Sequence, residues 1–291
     1  MGRRGRGLTG ILAGVPRPFR QVDVFTTTPY AGNPVAVVLD GEGISTEEMQ
    51  RFAHWTNLSE TTFVLPPSAE GADYHVRIFT PVAELPFAGH PTLGTAHAWL
   101  EAGGEPARDG VVVQQCAAGL VAVRHTDDGL AFAAPPLVRS GPVDDATVRE
   151  LASILNLDQA AIVDTQWADN GPGWVAVLLE SAEAVLAVRP GFVGEFDIGV
   201  AGPHPEGSSE AFEVRAFFAK DGATVEDPVT GSFNASLAGW LLESGRAKAP
   251  YVASQGPALG RAGRVHISRG EDGEIWVGGG TITCVAGAVE L

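Results

Sequence analysis

Gly89-His90-Pro91-Thr92-Leu93-Gly94-Thr95 and, in the second half of the chain, Glu226-Asp227-Pro228-Val229-Thr230-Gly231-Ser232 share one pattern, [His/Asp]-Pro-x-x-Gly-[Thr/Ser]. Each is followed by an Ala-rich apolar segment carrying a Trp-Leu pair, Trp99-Leu100 and Trp240-Leu241. The preceding stretches match as well, Val76-Arg77-Ile78-Phe79 with Val214-Arg215-Ala216-Phe217. The offset is 138 at the strand, 137 at the motif and 141 at the Trp-Leu pair. This reads as a one-residue slip in the loop and one extra turn in the second helix. One repeat of this length is no solenoid period; it describes a chain of two similar halves. Each half reads as several short strands plus one Ala/Leu-rich helix, apolar nearly all round and therefore buried.

Composition narrows the function classes. The 291 residues are 45% hydrophobic and 19% charged, ordinary for a protein with a filled core. A formal charge of −16 argues against a nucleic-acid footprint, which needs clustered Lys and Arg. Only Met1 to Arg20 is locally basic, and it reads as a flexible N-terminal extension. Its apolar stretch, Leu8 to Val15, is broken by Gly and too short for a signal-peptide core. No run approaches a membrane span. Cys116 and Cys284 form no disulfide framework or metal spacing and read as free thiols. The expectation is a soluble cytoplasmic protein.

Punctuation residues place the elements. Val22–Phe25 and Pro34–Leu39 read as strands joined by the Gly32-Asn33-Pro34 turn. Ser45 and Glu48 form a capping box opening a helix to about Trp55. Thr61–Leu65 and Tyr74–Phe79 read as strands, and the first motif helix as Pro91 to about Ala102. Pro135-Pro136 marks a boundary. Beyond it come a helix over Val143–Leu155, a strand at Trp174–Leu179, a short helix over Ser181–Val188, an exposed loop at Gly199–Ser209, and the second motif helix from Pro228 to about Gly245.

Proline in the first helical position would make His90 and Asp227 N-caps, with Gly94 and Gly231 one turn in. Two helix N-termini facing one cleft would form a site for a carboxylate. In that field His90 is expected neutral near pH 7 and Asp227 ionised. A proton carrier is supplied by the polar break Ser59-Glu60-Thr61-Thr62. There Glu60 lies between apolar segments, and burial would raise its pKa toward the range of a general acid/base. Other constellations fail: His90 and His97 are about 10 Å apart along a helix, too far to share a metal. There is no P-loop, no Gly-x-Gly-x-x-Gly after a strand and no Gly-x-Ser-x-Gly elbow. Gln255-Gly256 with Arg261 and Arg264 could contact an anion or could simply be solvated.

These stretches resemble the PhzF-like phenazine-biosynthesis family, relatives of diaminopimelate epimerase and proline racemase. The likeness rests on Asp23-Val24-Phe25, Gly32-Asn33-Pro34, Ser59-Glu60-Thr61-Thr62-Phe63, Leu85-Pro86-Phe87-Ala88-Gly89-His90-Pro91-Thr92, Glu226 to Ser232 and Gln255-Gly256, from about Gln21 to the C-terminus. It implies an α+β fold of two pseudo-symmetric domains, each a mixed sheet rolled around a central helix, with the active site in the cleft. The domains would be 21–135 plus 281–291, the last strand returning to the first domain, and 136–280, with 1–20 as the extension. It further implies a cofactor-independent isomerase, commonly homodimeric, acting on a small unsaturated amino or hydroxy carboxylic acid. The family's best-understood member isomerises trans-2,3-dihydro-3-hydroxyanthranilate. By that resemblance Glu60, His90 and Asp227 are catalytic, Ser59, Gly89, Gly231 and Ser232 bind substrate, and no metal takes part. Two departures bear on substrate: Phe233-Asn234 where many members carry small residues, and Arg261-Ala262-Gly263-Arg264 without the expected Pro-Ser. Racemisation, or metabolite binding without catalysis, are the alternatives; related racemases place a cysteine at each helix start, where this chain has His90 and Asp227.

Overall fold

Two helices that bury almost every face organise the protein, whose computed structural model describes residues 14–291. Five α-helices occur among the described residues: α1 (Thr46–Thr56), α2 (Gly89–Glu101), α3 (Asp145–Leu155), α4 (Ala182–Ala187) and α5 (Gly231–Glu243). In α2 every residue from Gly89 to Ala96 is buried, and α5 is buried from Phe233 to Leu241. Strands curl round each of them. Helix α2 touches Pro16–Val24, Asn33–Val38, Glu60–Leu65, Val111–Cys116, Gly119–Thr126, Gly129–Ala133 and Thr281–Glu290. Polar groups on so dry a helix are satisfied by one another. Thr95 Oγ1 meets Thr62 Oγ1 at 2.8 Å, and Thr92 Oγ1 donates to Ala88 O while accepting from Gln114 Nε2.

The two halves repeat one strand order with one sequence of directions. In the first half Thr281–Glu290, Pro16–Val24 and Asn33–Val38 pair antiparallel in turn; Asn33–Val38 is parallel to Glu60–Leu65. Glu60–Leu65 is antiparallel to Tyr74–Phe79, which runs parallel to Val111–Cys116; Gly119–Thr126 and Gly129–Ala133 follow antiparallel. In the second half Arg139–Pro142, Ile162–Asp169, Trp174–Leu179, Asp197–Pro203, Phe212–Lys220, Tyr251–Gln255, Gly263–Arg269 and Ile275–Gly279 repeat that scheme. The halves join where Gly129–Ala133 pairs with Ile275–Gly279, Phe132 opposite Val277. The architecture is therefore α+β, two pseudo-symmetric domains, each a mixed sheet rolled around a helix.

Each half also lends its final strand to the other. Arg139–Pro142 leaves the first half to pair with Ile162–Asp169, and Thr281–Glu290 returns to pair with Pro16–Val24. That pairing reaches Pro16–Glu290, so Pro16–Arg20, read from sequence as part of a flexible extension, is a sheet strand; residues 1–13 lie outside the described residues. Gly199, Val200 and Ala201, read as an exposed loop, are instead the buried middle of strand Asp197–Pro203. Glycine occupies position 199 because the residue lies under the Phe233 ring, where a Cβ would overlap it.

The structure also corrects the internal alignment. Both central helices have 13 residues, so the second carries no extra turn. The additional residues lie in the preceding hairpin: Phe79 pairs with Glu84 across a short turn, whereas Phe217 pairs with Glu226 through a hairpin four residues longer. Structural equivalence therefore moves from an offset of 138 at Arg77/Arg215 to 142 at Gly89/Gly231. The pairs Arg77–Glu84 (2.6 Å) and Arg215–Glu226 (2.7 Å) fall on matching positions. His90 and Asp227 are not counterparts. His90 corresponds to Ser232, and Asp227 to Leu85.

Candidate active site

The starts of α2 and α5 abut. A Cβ placed on Gly231 would lie 3.2 Å from the His90 backbone nitrogen, a tight contact, so the helix ends approach closely where glycine leaves the space open. Neither His90 nor Asp227 caps a helix. The N-caps are Ala88 and Thr230, neither bonding through its side chain. His90 is instead the second residue of α2, while Asp227 ends strand Ala223–Asp227, paired with Ala216. Proline does not start the second helix because Asp227 is held in the ladder and Pro228–Thr230 forms a separate turn. The uncapped first turns leave N–H groups of Gly89, His90, Gly231 and Ser232 without helical partners, at the positive ends of two dipoles.

Glu60, His90 and Asp227 are brought together beside that junction. Glu60 begins strand Glu60–Leu65, opposite Val35. Its Oε2 lies 3.4 Å from His90 Nε2; both atoms are buried, and neither has a formed hydrogen bond among the described residues. Burial, with the Asp227 charge adding to it, raises the Glu60 carboxyl from 4.5 to about 8. Burial lowers His90 to about 3, opposed by a hydrogen bond to the Pro34 backbone. His90 is thus neutral, as the sequence reading expects, but through desolvation and not chiefly the helix field. With Nε2 turned to Glu60, Nδ1 is the nitrogen left to donate to the Pro34 carbonyl, so Nε2 presents its lone pair to the protonated Glu60.

Asp227 is also buried, which raises it to about 6; Thr230, Asn33 and Ser59 hydrogen bonds oppose the rise and Glu226 adds to it. At pH 7 it remains mostly ionised. Thr230 Oγ1 donates to its Oδ2 at 2.7 Å and Asn33 Nδ2 to its Oδ1 at 3.1 Å. Sequence reasoning names neither Asn33 nor Thr230 as a site residue. Gln255 organises this turn: its Oε1 accepts from the Thr230 N–H (3.0 Å) and from Asn234 Nδ2 (2.9 Å). Its Nε2 donates to Thr230 Oγ1 (2.9 Å) and Asp227 O (3.1 Å). Asn234, one of the departures noted above, is thus an anchor of the turn. Phe233 packs against Trp174, ring centroids 5.4 Å apart.

Ser59 sits beside Asp227, whereas Ser232 is engaged elsewhere: its hydroxyl accepts from Trp174 Nε1 at 3.0 Å and its carbonyl from Asn170 Nδ2 at 2.9 Å. Arg261 and Arg264, weighed as anion ligands, serve the scaffold: Arg261 bonds the Tyr30 and Gly32 carbonyls, and Arg264 pairs with Glu210 at 2.6 Å. His97 bridges Thr281 and Thr283 of the last strand. Both cysteines are free, and neither lies on α2 or α5. Among the described residues no group of three His, Cys, Asp or Glu side chains is disposed to hold a metal, and no helix is long and apolar enough to cross a membrane.

Residues 22–287 match the family model described as phenazine biosynthesis-like protein. The chain is 34% identical over 292 residues to the Schizosaccharomyces pombe protein named antisense-enhancing sequence 1, covering 92% of this chain and 97% of that one. It is 36% identical over 260 residues to the trans-2,3-dihydro-3-hydroxyanthranilate isomerase of Pseudomonas aeruginosa, covering 87% of this chain and 90% of that one. In fold it matches the crystal structure of a Bacillus anthracis phenazine biosynthesis protein of the PhzF family, with a TM-score of 0.80 at 23% identity over 95% of this chain and all of that one.

Proposed function

The chain belongs to the phenazine biosynthesis-like (PhzF) family, and from that premise we propose that it is an isomerase moving a proton between carbons of a small unsaturated amino acid. The isomerase assignment rests on relatives that bear that name. The finer reading is carried by one observation: a buried carboxyl raised to about 8 faces a neutral imidazole beside two uncapped helix starts. Ionised Glu60 removes a proton from an sp³ carbon of the substrate. The electron pair moves through the conjugated system, and the Glu60 carboxylic acid returns the proton to a second carbon. Atoms and electrons balance without an oxidant. The free N–H groups of Gly89, His90, Gly231 and Ser232 offer a substrate carboxylate, and the charge that develops on it, an oxyanion-hole type of stabilisation. Ionised Asp227 suits an ammonium and, with neutral His90, orients the acid. An intermediate of secondary metabolism is the substrate class this chemistry fits.

The test is turnover of trans-2,3-dihydro-3-hydroxyanthranilate, followed by loss of its diene absorbance, in wild type, Glu60→Gln and Asp227→Asn. The expected losses in kcat are at least about a hundredfold for Glu60→Gln, the scale of a general base, with a rise in KM for Asp227→Asn. Undiminished turnover in Glu60→Gln would remove Glu60 from the mechanism. Glu60-dependent turnover of a different unsaturated amino acid, with this one inert, would keep the proton carrier and correct the substrate.

A further inference from the structure

Glu60 has a counterpart in the second half of the chain. Val35 lies opposite Glu60 in parallel register, and Trp174 lies opposite Asp197 in the same way. On the other side Thr61 pairs with Phe79 and Ile198 with Phe217, strand residues that match between the halves. Both neighbouring strands give one answer: Asp197 occupies in the second half the position that Glu60 occupies in the first. Each is the first residue of its strand.

Alternation of side chains fixes the face on which Asp197 stands. Phe196, Ile198 and Val200 pack into the hydrophobic cluster on the sheet face away from α5. Gly199 lies under the Phe233 ring of α5, and Ala201 joins the core around that helix, so Asp197 belongs to the α5 face. Its pairing partner Trp174 donates from Nε1 to Ser232 Oγ at 3.0 Å, and Ser232 is the counterpart of His90. Asp197 therefore stands by the start of α5 as Glu60 stands by the start of α2.

The two carboxyls differ in their company. Glu60 is shut in against His90, whereas Asp197 is partly exposed and its oxygens are not sealed from solvent. No hydrogen-bond donor reaches it among the described residues; burial, then the charge of Asp169, raises it to about 6, so it is mostly ionised at pH 7. Asp169 is itself satisfied by the Gly171 and Gly173 N–H groups, each at 2.7 Å. A desolvated carboxylate without a donor is costly to keep. Resting on the isomerase reading, in which the helix starts hold the substrate carboxylate and Asp227 its ammonium, we propose that Asp197 is a specificity-determining residue that accepts a hydrogen bond from a hydroxyl of the substrate. The substrate class narrows to unsaturated hydroxy amino acids, and a second carboxylate at that place is rejected by like charge.

Calorimetric titration with 3-hydroxyanthranilate and anthranilate, stable aromatic analogues that differ only by the hydroxyl, tests this in wild type, Asp197→Ala, Asp197→Asn and Glu60→Gln. Wild type should bind the hydroxylated analogue at least about tenfold more tightly, the scale of a hydrogen bond to a charged group. Asp197→Ala should lose that preference and still bind anthranilate as wild type does. Asp197→Asn keeps one acceptor oxygen and should restore part of the preference, and Glu60→Gln should retain it. A preference undiminished in Asp197→Ala, or absent from wild type, would overturn the inference and leave the isomerase reading standing. Equal weakening of both analogues by Asp197→Ala would overturn it as well, since it marks a structural role. If neither analogue binds wild type, the inference falls, and Glu60-dependent turnover decides separately whether the isomerase reading falls with it.

Discussion

Replacing Glu60 by Gln should stabilise the fold while it removes activity, and the size of the gain should depend on pH. The folded-state carboxyl is raised from 4.5 to about 8, first by burial and then by Asp227. Below pH 4.5 folded and unfolded chains both hold the proton and nothing is lost. Between 4.5 and 8 the unfolded chain releases it while the folded chain retains it, so stability falls as pH rises and levels off above 8. At roughly 1.4 kcal/mol per unit, the gap sets an upper bound of about 5 kcal/mol above pH 8 and about 3 kcal/mol at pH 7. Gln keeps the shape and never ionises. The Asp227 charge is already one of the two causes of the Glu60 shift and adds no separate gain. Urea unfolding of wild type and Glu60→Gln at pH 5 and pH 8.5 is the assay. The stability difference should grow by roughly 3 kcal/mol across that interval, less than the bound because water reaches part of the site. A difference constant within about 0.5 kcal/mol would show that the carboxyl is not desolvated, and the acid/base argument would lose its footing.

Because the base form of Glu60 starts the reaction, kcat/KM should climb as Asp227 ionises near 6 and Glu60 near 8, then level off; His90, neutral throughout, adds no limb. A profile recorded from pH 5 to 9.5 that is highest at the acid end would contradict this assignment. The matched ion pairs of the two halves should behave differently. Arg215 is 4% exposed and also donates to the Val185 and Val188 carbonyls, so Arg215→Ala, which strands those carbonyls and the partly buried Glu226, should cost about 3 kcal/mol. Arg77→Ala at the more open counterpart should cost about 1 kcal/mol or less, and equal losses in thermal unfolding would refute the contrast. Gly94→Ala places a methyl 2.3 Å from Val35 Cγ1. Against a helix-propensity gain of about 1 kcal/mol, overpacking should leave a net loss of about 1–3 kcal/mol, and an unchanged Tm would show that the core yields there.

The repeat, the buried central helices and the three candidate residues were legible in the chain because each leaves a local trace. Apolar residues run on every face of α2, and Glu60 interrupts a β-branched segment. What local pattern misassigned were the helix starts. Pro91 and Pro228 both look like first-position prolines, yet Pro91 is the third residue of α2, and Pro228 precedes α5 because Asp227 is held by a ladder partner at Ala216 and its turn by Gln255. Such long-range bonds leave no periodicity. The extended hairpin before α5 is hidden for the same reason: equal motif spacing aligns His90 with Asp227, while chain geometry aligns it with Ser232. The neutral state of His90 was legible in direction but not in cause, since burial needs the packed structure. Asn33 stood in plain view inside the Gly32-Asn33-Pro34 turn. Its bond to Asp227 appears only once the two halves meet.

The central claim is that one carboxyl carries a proton from carbon to carbon. It is tested most directly by running the isomerisation of trans-2,3-dihydro-3-hydroxyanthranilate in D₂O and locating deuterium in the product by NMR, beside Glu60→Gln. The account predicts Glu60-dependent conversion with deuterium at the newly protonated carbon, in amounts set by how fast the Glu60 proton exchanges before return. Conversion at wild-type rate in Glu60→Gln, with the same labelling, would contradict it.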